Sequence, residues 1–405
     1  MNTNKEIRPL CISFWTPPLI RPQAILMQKM IPEWCRQGVE PVIVTYDICG
    51  QWDIDIPIYH IPPYAGPPRR FAWNPFAGSW YEFKYYREMC ERLIPIIHRH
   101  NINVIYSFAN PTSSNLLGVA LKQKTGAPLV AHFSDPWFDN PLKERSWLSS
   151  FKIRLLEWYV IKHSDLVTTV DEAMKEHIKK KYPFEWQKKI RVVNHCYDPK
   201  LYPTKTLSSD GRPYIISHIG AFYKKRMPHA LFRSLVMLRN HRPDIAERLC
   251  IRLIGGNADY TRVTSDTLDK LVRSYNLQRM VELLPTVEYQ ESLCLMTNSD
   301  ALLVIDPEFR YYIASKVIDY AGSRRPIIAI TQHDSSTALF VKQLGYQTFT
   351  HTQTEELAGY LTDLIEGKIS FEPRTEFLSQ YSVTSTTSRL FELFKEAMQG
   401  HATLS

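Results

Sequence analysis

Residues 312–331, YIASKVIDYAGSRRPIIAIT, read as one short helix running through a turn into a buried strand. Ser315 and Lys316 open the helix, where the first backbone N–H groups have no partner in the helix and suit phosphate oxygens. Asp319 follows one turn later on the same face, placed to accept hydrogen bonds from ribose hydroxyls. Gly322 closes the helix, and Arg325-Pro326 leads into an apolar run that suits a strand covered on both faces. A capped structural helix would carry the same punctuation, so the neighbouring segments decide what this one does.

Outward from this segment the same alternation recurs in both directions. In the first half, strand-like apolar runs lie at 10–15, 41–46, 56–61, 103–108, 128–133, 165–170 and 191–194. Helix-like stretches at 23–36, 79–98, 113–124, 147–163 and 172–181 separate several of them. Buried strands alternating with helices predict an α/β chain with parallel, doubly wound sheets. The pattern breaks at Asp198-Pro199 and the polar segment 204–212. It restarts with strands at 213–218, 249–254, 280–284, 301–305 and 326–331, and with helices at 228–240, 265–275, 289–297 and 314–322.

The expected organisation is therefore two Rossmann-like domains facing each other across a cleft, 1–200 and 201–382, with 383–405 as a last helix packing back on the first domain. In open sheets of this kind ligands bind beyond the carboxyl ends of the strands. A length of 405 residues agrees, being too great for a single core.

Composition excludes several classes. With 44% hydrophobic and 22% charged residues the chain is an ordinary globular one. Its seven cysteines include no C-x-x-C pair and match no zinc or disulfide framework, which fits a reducing compartment. The first residues lack a signal-peptide pattern, and no apolar run approaches the ~20 residues that span a bilayer. A cytoplasmic protein, working at the inner face of the plasma membrane, is the expectation. The net charge of +8 is uneven: residues 1–200 carry 26 Lys and Arg against 19 Asp and Glu, residues 201–405 carry 23 against 22. A basic first half points to an anionic partner, such as a phospholipid surface or a phosphorylated acceptor. No nucleic-acid-binding signature accompanies the charge, so no nucleic acid partner is expected.

Three further stretches join the opening one. Gly220, straight after the first strand of the second half, lets backbone approach a ligand, and Lys225 and Arg226 follow as cations for a pyrophosphate; a surface turn with solvated charges is the alternative. Gly255-Gly256 is a second strand-end glycine pair, equally suited to a tight turn. Pro285-Thr286-Val287 would bring backbone to the cleft rim, where Thr286 and Val287 could hydrogen-bond a base, or else forms an ordinary strand-to-helix loop.

The order Gly220…Lys225-Arg226, then 285–289, then Ser315-Lys316-x-x-Asp319-Tyr320…Arg325-Pro326 resembles the nucleotide-binding half of retaining GT-B glycosyltransferases, the group 1 transferases. The resemblance implies transfer of a sugar from a nucleotide diphosphate donor, a UDP-sugar on base rate or a GDP-sugar. The acceptor it implies is a glycan or lipid-linked one, as in bacterial surface polysaccharide synthesis. It also implies that Gly220 and Arg226 meet the donor phosphates with Lys225 beside them, that Ser315 and Lys316 hold the pyrophosphate, and that Asp319 takes the ribose.

Two features depart from the family pattern. The family has two glutamates eight positions apart. Here the second is Asp319, the first position is Tyr311, and Glu308 is the nearest upstream carboxylate. The usual Gly-rich loop after the first strand is replaced by residues 16–23, TPPLIRPQ, where Arg21 could stand in for its backbone donors.

In the first half, residues 130–137, VAHFSDPW, resemble the family's polar strand end. Asp135 is the leading polar group toward the acceptor and His132 the second; a turn-capping role for Asp135 before Pro136 is the alternative. Residues 66–86 mix Arg69, Arg70 and Trp73 with further aromatics, a composition that suits an acceptor groove or a bilayer interface, or else a core-facing helix start. The one D-x-D match, Asp53-Ile54-Asp55, lies away from the expected donor site, so cations rather than a metal are expected to neutralise the leaving group, and no cofactor is expected. Two rivals share the architecture: a sugar-nucleotide 2-epimerase, whose carboxylate and His constellation is not found in order, and a nucleotide- or glycan-binding protein without turnover.

Overall fold

The computed structural model describes residues 6–71, 73–109, 111–140, 143, 145–206, 211–222, 226–255, 264–311, 313–372 and 374–402. The chain divides into two compact units, one of Met1–His195 with Val383–Ser405 and the other of Cys196–Ser382.

In chain order the first unit runs β1 (Pro9–Ile12), α1 (Pro22–Arg36), β2 (Val42–Tyr46), β3 (Ile58–Ile61), α2 (Pro75–Arg99), β4 (Val104–Phe108), α3 (Ser113–Thr125), β5 (Leu129–Phe133), α4 (Trp147–His163), β6 (Leu166–Thr169), α5 (Glu172–Lys179), α6 (Phe184–Gln187) and β7 (Ile190–Val192). The second unit continues β8 (Tyr214–Ile219), α7 (His229–His241), α8 (Pro243–Ala246), β9 (Leu249–Ile254), α9 (Ser265–Ser274), β10 (Val281–Leu284), α10 (Tyr289–Asn298), β11 (Ala301–Ile305), α11 (Ser315–Gly322), β12 (Ile327–Ile330), α12 (Ser336–Gln343), β13 (Thr348–Phe349), α13 (Thr354–Ile365) and α14 (Thr375–Ser379). The last helix, α15 (Val383–Ala402), returns to the first unit.

Both sheets are parallel. The first has the order β3-β2-β1-β4-β5-β6-β7, the second β10-β9-β8-β11-β12-β13. Each order reverses direction once, between β1 and β4 and between β8 and β11. At such a switch point neighbouring connections leave on opposite faces and open a crevice at the strands' carboxyl ends.

Local chemistry sets the helix starts. Asn74 caps α2 by accepting from the N–H groups of Phe76 and Ala77, and Pro75 occupies the first helical position. This Asn-Pro start carries the helix four residues upstream of the expected 79. Ser146 caps α4 and Asp171 caps α5 in the same way. The sequence reading did not anticipate α12, α13 or β13. β13 has two residues, one of them half-buried, and too short a run to show periodicity.

The first unit's core joins α1, α15 and the sheet through aromatic rings. Trp34 of α1 meets Phe391 and Phe394 of α15 with ring centroids 5.7 and 5.6 Å apart, and Tyr106 of β4 lies 5.4 Å from Phe394. All four are fully buried. The second core, around Phe232, Leu253, Leu303 and Ile330, is mostly aliphatic, with Phe222, Phe232 and Phe349 among its buried residues. Among the described residues no helix is long and apolar enough to cross a membrane, and none of the seven cysteines is in a disulfide.

Phe394 is the ring shared by α1, α15 and the sheet, so Phe394→Ala is expected to cost about 3–5 kcal/mol by truncation and cavity formation. Urea unfolding of parent and variant checks this. A loss below about 1 kcal/mol would mean that α15 is not part of the first core.

Candidate functional site

At the switch point of the second unit, four polar side chains converge. β8 ends at Ile219, and Gly220 turns the chain with φ +134°, a conformation that glycine adopts readily. A Cβ at Gly220 would lie 3.2 Å from the Lys316 ammonium. Gly255, after β9, has φ +106° and lies so close that its own Cβ would meet the Gly220 backbone at 3.1 Å. Two adjacent strand ends thus present backbone rather than side chains.

Lys316 is the second residue of α11. Its Nζ lies 2.9 Å from Nε2 of His218, whose Nδ1 is 2.9 Å from the Leu303 carbonyl oxygen. A carbonyl can only accept, so Nδ1 carries the proton and Nε2 of the neutral ring accepts from Lys316. The charges agree with this tautomer: burial, then Lys316 and Arg226, hold His218 well below the usual histidine range. Lys316 itself keeps some solvent exposure along its stem, but burial of its ammonium and the nearby Arg226 push it well below the lysine range, opposed by Asp306.

Arg226 pairs with Asp306 across 3.2 Å, with side chains only 6% and 1% exposed. Asp306 follows β11, and its other oxygen accepts from Thr337 at 2.6 Å. Two cations therefore face one carboxylate and one neutral imidazole beside an α11 start that has no side-chain cap. An anion arriving there would supply the counter-charge the cluster lacks and meet the first N–H groups of the helix.

Asp319 sits one turn beyond Lys316 and is buried. Tyr289, which begins α10, places its hydroxyl 3.2 Å from Asp319 Oδ1, and the Tyr202 hydroxyl donates to the Asp319 carbonyl at 2.8 Å. Thr286, exposed, and Val287, half-buried, lie in the loop that leads into Tyr289. Glu308 is exposed, two residues past Asp306. Lys225 lies outside the described residues. Gly220, Arg226, Ser315, Lys316 and Asp319 are thus gathered around one helix start. His218 and Asp306 belong to the same group and were not singled out from the sequence, although a polar residue at the carboxyl end of an apolar strand was the available signal.

In the first unit, β5 carries His132 and stops at Phe133, two residues before Asp135. His132 is buried, its ring 5.5 Å from Phe108, with Nδ1 3.0 Å from Thr168 Oγ1. Burial, with a contribution from His195, pushes its pKa down to about 3, so the ring is neutral near pH 7. Asp135 is half-buried and its charge partly offsets the burial that lowers the Lys143 pKa.

The backbone after Asp135 is held on both sides. The fully buried Glu157 of α4 accepts from the N–H groups of Trp137 and Phe138 at 3.0 and 2.8 Å, and from Lys181 and Tyr182 at 2.8 and 2.6 Å. Arg145 donates to the carbonyl oxygens of the same two residues at 2.8 and 3.1 Å. Burial would raise the Asp139 pKa, but hydrogen bonds from His177 and Lys181 overcome it and hold the carboxyl down at about 2. Arg21, before α1, lies over the Trp15 ring at 4.5 Å. Arg69 and Arg70 are exposed in a short 3-10 turn, and Trp73 is exposed and donates to the Arg70 carbonyl at 2.9 Å. Among the described residues no three His, Cys, Asp or Glu side chains come together as a metal site.

The comparisons with known proteins agree with this layout. Residues 23–201 match the Glycosyltransferase Family 4 domain. No curated protein matches the chain. Among solved structures it is similar to Anabaena HepE in complex with UDP and glucose, at 16% identity, TM-score 0.68, over 96% of this chain and 99% of that one. It is also similar to a glycosyltransferase from Rickettsia africae, at 14% identity, TM-score 0.67, over 97% and 98%. A third is the lipopolysaccharide outer core galactosyltransferase WaaB, at 12% identity, TM-score 0.60, over 97% and 99%. At these identities the structural likeness establishes the fold, which is GT-B.

Two outcomes follow. Glu157→Gln turns an amide NH2 toward donors on one side of this buried site, either the Trp137 and Phe138 N–H groups or Lys181 and Tyr182, and is expected to cost about 3 kcal/mol in urea unfolding; an unchanged midpoint would show that the loop is held without it. The folded pKa of His132 lies below its unfolded value, so its contribution is full above about pH 6.5 and is lost as pH falls toward 3. Between pH 6.5 and 5 that amounts to about 2 kcal/mol. His132→Asn should flatten the stability profile in this window, and an equally steep variant would refute the assignment.

Proposed function

We propose that this chain, a glycosyltransferase by its family 4 domain and GT-B fold, moves a sugar from a nucleotide diphosphate-sugar to a lipid-linked or glycan acceptor, with retention at the anomeric carbon. The observation that carries the donor half of this reading is the cluster of Lys316, Arg226, His218 and Gly220 at the switch point of the second sheet. The bond between the anomeric carbon and the diphosphate oxygen breaks while the acceptor hydroxyl oxygen bonds that carbon. Negative charge grows on the leaving diphosphate, and Arg226, Lys316 and the α11 N–H groups are placed to stabilise it.

Burial and Arg226 lower the Lys316 pKa in the empty site, and a diphosphate beside it would favour the charged form. Asp319, steadied by Tyr289, takes the ribose, and the Thr286-Val287 backbone takes the base. We favour UDP as the carrier, since Anabaena HepE has been captured with UDP and with UDP-glucose.

On the acceptor side Asp135 is the polar group we assign to the incoming hydroxyl, with His132 as a neutral supporting ring and Glu308 a further candidate from the donor side. Arg21, Arg69, Arg70 and Trp73 are the residues we assign to an anionic, lipid-linked acceptor at the inner face of the plasma membrane, in surface polysaccharide synthesis.

Thermal unfolding with UDP, GDP, ADP and CMP tests the donor assignment. A nucleotide at about a hundred times its Kd stabilises by ~2.7 kcal/mol, a shift of a few degrees. UDP is expected to give that shift in the parent and none in Lys316→Ala, with the variant's circular dichroism unchanged. No shift with any nucleotide would overturn the assignment and favour a chain that has lost donor binding.

A further inference from the structure

Helix α4 is apolar on two faces. Its inner face buries Leu156, Val160 and Ile161 within the first unit. The outer face of such a helix is normally polar. Here Trp147, Phe151, Leu155 and Trp158 follow at steps of four, four and three and so form one stripe, 80, 50, 44 and 40% exposed. Arg154 and Lys162 fall on the same stripe and are exposed. The one acid of the helix, Glu157, is turned inward and fully buried.

The neighbouring helices continue the surface. Exposed Phe76, Trp80 and Phe83 are spaced by four and three along α2, with Phe76 6.4 Å from Phe151 and Phe83 5.6 Å from Tyr159. Past the other end, Trp158 meets Trp186 of α6 at 5.5 Å, Lys162 lies over Trp158 at 4.7 Å, and Lys188 lies over Phe184 at 4.7 Å. Among the described residues twelve large hydrophobic side chains are exposed. Eight of them lie on α2, α4 and α6, against one in the second unit. The demand for cover is therefore local to this face, and a patch of this kind marks an interaction surface.

The chemistry selects the partner. Protein interfaces concentrate apolar side chains at a centre depleted of lysine. Here Trp and Phe are interleaved with Lys and Arg along the same stripe, which is the composition of the headgroup–acyl boundary of a bilayer with anionic lipid. We propose that the outer faces of α2 and α4 dock on an anionic lipid bilayer. The inner face of α4 meanwhile holds, through Glu157, the backbone that follows Asp135. One helix would thus fix the acceptor-side loop about a helix diameter, ~10 Å, from the lipid surface. The proposal rests on the lipid-linked acceptor reading and supplies the surface that reading needs.

The test is co-sedimentation with vesicles at low salt, using phosphatidylcholine alone or mixed with phosphatidylglycerol. The parent is expected to partition about ten-fold or more strongly onto the mixed vesicles. Trp147→Ser with Trp158→Ser should lose about ten-fold on them, and Arg154→Glu with Lys162→Glu should abolish the preference for anionic lipid. All should keep the parent's melting temperature and its nucleotide shift. A parent that stays in the supernatant with mixed vesicles overturns the proposal. So does a parent that is dimeric by sedimentation equilibrium and made monomeric by the tryptophan pair, since the face then belongs to a second copy. Vesicle binding without any nucleotide shift would sink the donor assignment and leave the docking surface standing.

Discussion

The hydroxyl of Tyr320 meets both backbone groups of Ile219, accepting from its N–H at 2.6 Å and lying 2.9 Å from its carbonyl oxygen. Ile219 is the last residue of β8, at the point where a parallel sheet gives way to a turn and backbone polar groups need new partners. Tyr320 lies one turn beyond Lys316 on α11, so the bond that finishes the strand also fixes where the helix begins. With that anchor in place the Lys316 ammonium comes to rest beside Gly220 and against His218. Any side chain at Gly220 would meet it. The far end of α11 is fixed as closely: at Gly322 an added Cβ would run into the rings of Tyr197 and Tyr202. Helix α11 is thus held at both ends by tyrosines and glycines before any ligand is present, which would lower the ordering cost of the donor binding we propose there.

The first unit solves a related problem with a carboxylate. The segment after β5 leaves the sheet with two N–H groups, of Trp137 and Phe138, inside the protein, and one buried acid takes both. That acid lies wholly in the interior, which is tolerable because Lys181 and the Tyr182 hydroxyl donate to its second oxygen. The consequence is mechanical: Asp135 is placed by α4, and whatever positions α4 positions Asp135.

Much of this was legible in the sequence and some was not, for physical reasons. The αβ alternation gave away both parallel sheets, because strands covered on two faces must be apolar throughout, and α4 was bounded correctly from its residues alone. The helix start at Ser315-Lys316 was legible because helix punctuation and charge coincide within a few positions. The partners of these cations were not. Asp306 lies 80 residues beyond Arg226 and His218 lies 98 before Lys316, and only the sheet order brings β8 beside β11. Glu157 escaped for a different reason. In sequence it is one acid in a basic amphipathic stretch, indistinguishable from a solvated charge until the loop that it satisfies is seen.

The aromatic residues of α4 show how one pattern can hide another. A helix read only for burial needs one apolar face, and Leu156, Val160 and Ile161 already provide it. Trp147, Phe151, Leu155 and Trp158 then look like surplus core, which is how an apolar helix is ordinarily read. The structure separates the two sets by direction, since the first is under the helix and the second stands in solvent. A surplus with its own periodicity, its own cations and a neighbour on α2 in register with it is a second surface. Because the same helix holds the Asp135 loop from beneath, docking and acceptor placement would be two consequences of one rigid element.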